Sequence, residues 1–69
     1  MKISARNVLP GTVISIVRGP VTTEVTLEIA PGVQIVSTIT TTSAASLNIV
    51  EGGRAYGIIK ASSVMVGTD

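Results

Sequence analysis

Hydrophobic and polar positions alternate in short runs along this chain, and turn residues interrupt them at intervals of roughly ten, a pattern that predicts several short β-strands and little helix. The clearest run is Val21 to Ile29. Val21, Val25, Leu27 and Ile29 share one face and Thr22, Glu24, Thr26 and Glu28 the other, so one side is expected to be buried and the other solvated. Before it, Lys2 to Leu9 reads as a first strand closed by Pro10-Gly11, and Thr12 to Arg18 as a second closed by Gly19-Pro20. After it, Ala30-Pro31-Gly32 supplies a tight turn and Val33 to Thr40 returns antiparallel as a fourth strand. Thr41 to Leu47 suits a single N-capped helical turn, although no Glu or Gln stands where a capping box would need it. Glu51-Gly52-Gly53 turns the chain into a fifth strand, Arg54 to Lys60, which Ala61-Ser62-Ser63 breaks before Val64-Met65-Val66.

The order is thus four strands, a short helix and a last strand. The expected fold is all-β, a small five-stranded OB-like Greek-key barrel with one short helix, in a single domain over residues 1–69. No repeat, low-complexity segment or linker is present. A chain of 69 residues buries only about 60% of its unfolded surface, so a further source of stability is expected. Without cysteine or histidine it can be neither a disulfide nor a structural zinc, and with 45% hydrophobic residues self-association is the remaining route. The densest apolar run, Val13-Ile14-Ser15-Ile16-Val17, is far shorter than the roughly 20 residues a membrane-spanning helix needs. Polar residues interrupt any signal-peptide core at Met1 to Asn7, and a cytoplasmic location follows as the expectation.

A net charge of +1 and a single aromatic residue, Tyr56, argue against nucleic acid, whose binders carry basic faces and several stacking rings. Enzymatic chemistry is equally short of parts. No histidine or cysteine can serve as base or nucleophile, and a Ser-Lys pair of Lys60 with Ser62 or Ser63 has no further motif beside it. Glu24 and Glu28 lie four positions apart on one strand, about 13 Å, beyond the spacing of paired glycosidase carboxylates. Gly52-Gly53 and Gly19-Pro20 match no phosphate-binding loop and read as turn formers. What the chain holds in quantity is serine and threonine hydroxyls with a few isolated cations, donors suited to a tetrahedral oxyanion.

Ile3-Ser4-Ala5-Arg6-Asn7-Val8-Leu9-Pro10-Gly11 resembles the S-A-R-N-x-L-x-G opening of the Mop or molbindin family, related to the TOBE domains of molybdate regulators and transporter ATPases. Val13 to Gly19 and Glu24 to Glu28 continue the likeness, and Ile58-Ile59-Lys60-Ala61-Ser62-Ser63-Val64-Met65 is similar to the family's I-K-A/S-S-x-V ending. Two motifs at opposite ends of one short chain make it specific. The resemblance implies a cytoplasmic, non-enzymatic protein for storage or homeostasis of molybdate or tungstate, with no organic cofactor, no nucleic acid and no membrane partner. It also implies a homohexamer built as a trimer of dimers, with oxyanion sites between subunits. In the principal site Ser4, Ala5 and Arg6 of one subunit would meet Lys60, Ala61 and Ser62 of another, and Ser43 would add a hydroxyl. Ala61 departs from relatives that carry serine after the lysine, which removes a hydroxyl and keeps the backbone N–H. A second type of site, on threefold axes, would use Gly19, Pro20, Val21 and Thr22. The plainer alternatives are a solvated strand-end lysine at Lys60, an ordinary helix cap at Ser43, and a hairpin turn at Gly19 to Thr22. An interaction module of OB-like shape, contacting protein or nucleic acid with incidental anion affinity, is the competing function.

Overall fold

In the computed structural model, which describes residues 1–69, strand β1 runs unbroken from Asn7 to Arg18 through the Pro10-Gly11 pair expected to be a turn. The other elements are β2 (Thr22–Ala30), β3 (Val33–Thr40), helix α1 (Thr41–Ser46), β4 (Arg54–Ile59) and a 3₁₀ turn at Ala61–Ser63. The expected first two strands are therefore one, and the sheet has four strands rather than five. Backbone direction explains how proline is tolerated. Val13 donates to the carbonyl of Gly53 at 2.9 Å and accepts from the N–H of Gly52 at 2.8 Å, so its polar groups face the chain leading into β4. Alternation turns Pro10's nitrogen the opposite way, towards β2, whose pairing with β1 begins only at Thr12. No ladder hydrogen bond is lost. Gly11 is needed beside it because a Cβ there would stand 2.8 Å from the Glu28 carbonyl oxygen.

All pairings are antiparallel and the strand order is β3-β2-β1-β4. Three consecutive strands with a fourth returning beside the first make a Greek key. The sheet curls enough for the Ile35 side chain of β3 to lie against Gly57 of β4, where a Cβ would collide with it. The curl is helped by a bulge at Ile14, where Val13 pairs with Leu27 but Ser15 pairs with Thr26. That extra residue resets the alternation, so that Val13 and Ile16 both reach the core. Of the 69 residues only Val13, Thr23, Val25, Leu27 and Ala44 are fully buried, and Ile16, Ile29, Ile35, Ile39, Ile49 and Ala55 pack around the Val13, Val25 and Leu27 centre. Val25 and Leu27 are inward as expected from their alternation. Val21, assigned to the same face, precedes the strand and is exposed.

The turn at Pro31-Gly32 forms as expected, with Gly32 at φ +76° where a side chain would be strained. Helix α1 is capped by Thr40, not by a residue of the Thr41 to Ser43 run: its hydroxyl accepts from the Ser43 N–H at 3.0 Å. Thr23, with the parity of Val25 and Leu27, is wholly buried and its hydroxyl lies 2.8 Å from that of Thr41, which donates to the Gly19 carbonyl at 2.7 Å. The Thr41 N–H donates to Val21 at 2.8 Å. These bonds tie the helix to the turn between β1 and β2. Thr41→Val keeps the shape but leaves the Thr23 hydroxyl and Gly19 carbonyl short of a partner, and is expected to cost about 1–3 kcal/mol. A urea midpoint that did not fall would refute this role. No helix is long and apolar enough to cross a membrane.

Candidate functional site

The pairing of β1 with β4 joins the two ends of the chain. Asn7 is the partner of Ile59 in the ladder, and the Asn7 side-chain amide reinforces it by donating to the Ile59 carbonyl at 3.2 Å. Beyond this pair Ser4 to Arg6 precede β1 and Lys60 to Ser62 follow β4 into the 3₁₀ turn, so the two segments leave the ladder side by side. There the ladder ends and the segments open into a cleft of about 600 Å³ lined by Ile3, Ser4, Ala5, Arg6, Ile58, Lys60, Ala61 and Ser62. Six residues expected to form the principal site thus line one cavity within a single chain.

The lining has one electrostatic sign. Arg6 and Lys60 both border the cleft and no carboxylate does, so nothing in its wall offsets the two positive charges. No hydrogen bond within the chain occupies the side chains of Ser4, Arg6, Lys60 or Ser62. The 3₁₀ turn is closed by Ser63 N–H to Lys60 at 2.8 Å and Val64 N–H to Ala61 at 3.3 Å, while the N–H groups of Ala61 and Ser62 make no backbone hydrogen bond. Two hydroxyls, two cations and free amides are therefore available beside the apolar walls given by Ile3 and Ile58. Such a set is rich in donors and holds no anionic acceptor, and its chemistry is that of holding an anion. No group of three or more acidic, cysteine or histidine side chains is gathered anywhere to hold a metal ion.

Ser43 does not line this cleft. It is exposed in the first turn of α1, where its hydroxyl accepts from Thr40 at 2.7 Å and so keeps its own proton for an outside acceptor. In the turn of Gly19 to Thr22, Gly19 donates to the Thr22 carbonyl at 2.9 Å and the carbonyls of Gly19 and Val21 accept from Thr41. The Thr22 side chain there is exposed and makes no hydrogen bond. Sequence reasoning missed Ile3 and Ile58 as cleft walls, although Ile58 stands two positions before Lys60 at the end of β4. It also missed Thr23 and Thr41, whose signal was a threonine in phase with the buried valine and leucine.

A model of the TOBE domain family matches residues 3–66. The chain is 48% identical over its whole length to a probable molybdenum-pterin-binding protein of Haemophilus influenzae, all of which it covers. It is equally 48% identical to the molybdenum transport protein ModE of Herbaspirillum seropedicae, of which it spans only 26%. Among solved structures, MopII from Clostridium pasteurianum superposes with a TM-score of 0.90 at 42% identity, covering 97% of this chain and all of that one. A molybdate-binding protein from Sporomusa ovata gives 0.91 at 37% identity, with 99% of this chain and all of that one covered. The four-stranded curled sheet is thus that of an OB-like fold shared with these proteins. A family model covering nearly the full chain and full-length relatives of this identity place the protein in the TOBE domain family, among its small molybdenum-pterin-binding, or Mop, members.

Proposed function

We propose that this protein binds molybdate, and tungstate as its near-equal in size and charge, in the cleft between Ser4-Ala5-Arg6 and Lys60-Ala61-Ser62. The observation that carries the reading is the donor-rich polar lining of that cleft: Arg6 and Lys60 border it without a carboxylate, together with two hydroxyls and free amides. A tetrahedral dianion leaving water needs both compensating charge and several donors, or its desolvation prevents binding. Lys60 supplies the point charge and Ser4 and Ser62 donate hydroxyl protons. The amides of Ala61 and Ser62 bond to the anion's oxygens, which makes the missing hydroxyl of Ala61 tolerable.

The cleft is open on one side, and in this reading a second copy of the chain closes it, adding the Ser43 hydroxyl or its own Ser4 to Arg6 segment. The assembly is a homohexamer arranged as a trimer of dimers, and the turn of Gly19 to Thr22 forms the second type of site around a threefold axis. Fourteen large hydrophobic residues are exposed on the single chain of 69, which supports self-association. The protein acts in the cytoplasm as a store or buffer of the anion and not as an enzyme. The names of its relatives, a molybdate-binding protein and molybdenum-pterin-binding proteins, support the choice of ligand.

Titration calorimetry checks the proposal. Molybdate and tungstate are expected to give saturable heat, with sulfate and phosphate giving little or none at the same concentrations. Absence of molybdate binding at micromolar protein, or equal affinity for sulfate, refutes it.

A further inference from the structure

Five hydrogen bonds involve side chains, and four of them gather around helix α1. The fifth stands alone at the seam, where the Asn7 amide donates to the Ile59 carbonyl at 3.2 Å across 52 positions of sequence. A carbonyl only accepts, so the NH₂ end of the amide is the one that faces it. Asn7 directly follows Arg6 and Ile59 directly precedes Lys60, so this bond joins the neighbours of the two cations of the cleft. Asn7 itself does not line the cleft.

Local stability gives no reason for an asparagine at this position. Asparagine is among the residues depleted in strands, and Asn7 and Ile59 are ladder partners through their backbones. What does need holding is a pair of like charges. Arg6 and Lys60 border one cleft with no carboxylate beside them, and their repulsion works to part the two segments whenever no anion is bound. A neutral amide opposes this without cancelling the charge, which a carboxylate in its place would do. Lys60 must also be oriented. It is the N-cap of the 3₁₀ turn, makes no side-chain cap bond, and its carbonyl accepts from the Ser63 N–H at 2.8 Å. Ser63 thus ties the peptide plane that follows Lys60, and Asn7 ties the one that precedes it. Between them they set the direction in which the Lys60 side chain leaves the backbone.

We propose that Asn7 is a positioning residue of the anion site: its amide holds Ile59, and through it Lys60, so that the cleft is set before the anion arrives. Asn7 acts through Lys60 and touches no ligand. The proposal rests on the reading of the cleft as the anion site given above.

A double-mutant cycle on the full-length protein tests it, with sodium molybdate titrated calorimetrically at one ionic strength. Asn7→Leu keeps the size of the side chain and removes its donor, while Asn7→Ala removes both, so agreement between them shows that the missing hydrogen bond is the cause. Each is expected to weaken molybdate binding about three-fold to ten-fold, as the loss of one neutral hydrogen bond does. In a Lys60→Ala background the same substitutions are expected to change affinity by less than about two-fold. Thermal midpoints of the Asn7 variants are expected to stay with that of the wild type. Unchanged affinity with Lys60 intact overturns the proposal. So does loss of the fold, or an equal loss of affinity in both backgrounds, since a residue that only supports the fold acts whatever stands at position 60. If the wild type binds no molybdate, the reading of the cleft fails and the proposal with it; if the wild type binds and is indifferent to Asn7, the proposal alone falls.

Discussion

Leu27→Ala is expected to bring the chain to the edge of unfolding at room temperature. Leu27 is 4% exposed, one of three residues in the buried centre, and its Cδ1 also lies 3.7 Å from where a Cβ on Gly57 would sit, so it spans the curl from β2 to β4. Deleting such a side chain costs about 2–5 kcal/mol, the transfer energy of its carbons and the cavity they leave. A core this small rarely supplies more than about 3–5 kcal/mol in all. The check is thermal melting by circular dichroism at fixed protein concentration, since self-association alone shifts the midpoint. A fall of at least about 8 °C is expected, given about 4–8 °C per kcal/mol for a domain of this length. A fall of only a few degrees would show that the centre of stability lies elsewhere, in contacts between copies.

Lys60→Ala is expected to weaken molybdate binding about ten-fold to a hundred-fold or more, the equivalent of one charge-assisted hydrogen bond of about 1.5–3 kcal/mol. Lys60 directly follows β4, borders the cleft and has no hydrogen-bond partner for its side chain in the chain, so its loss removes charge from the site and leaves no buried group stranded. Stability is therefore expected to hold while affinity falls. Arg6→Ala should lose less, because the backbone donors of that segment remain. Titrations of the three proteins at one ionic strength decide the matter, and unchanged affinity in Lys60→Ala would remove it from the ligand set.

Much of the fold was legible because local rules coincide with tertiary ones. Alternation placed Val25 and Leu27 inside, and Pro31-Gly32 specified the hairpin turn by its own geometry. The Pro10-Gly11 pair misled because its meaning depends on a distant partner. Proline there is harmless only since its nitrogen faces away from β4, and glycine is required only since the β2 backbone passes within 2.8 Å of its missing Cβ. Neither fact is local. The bulge at Ile14 is likewise invisible in a run of alternating aliphatic residues. Of the site, the two end motifs were legible by resemblance alone. Their convergence in one chain is a matter of register between β1 and β4, and residue types cannot show it.

That register has a kinetic consequence. Strands β1, β2 and β3 follow one another through short turns and can zip locally, whereas β4 must search across most of the chain length before Asn7 and Ile59 meet. β4 is also the shortest strand and touches the sheet along one edge only, so it is the first to let go when the molecule breathes. Release of β4 alone would disperse the cleft while leaving the three-stranded meander intact. An anion held as proposed between Ser4 and Lys60 would then work as a clasp on the seam, disfavouring this opening the more tightly it is held. Retention of the anion and persistence of the closed form would then be linked, at the place where the two ends of the chain are joined.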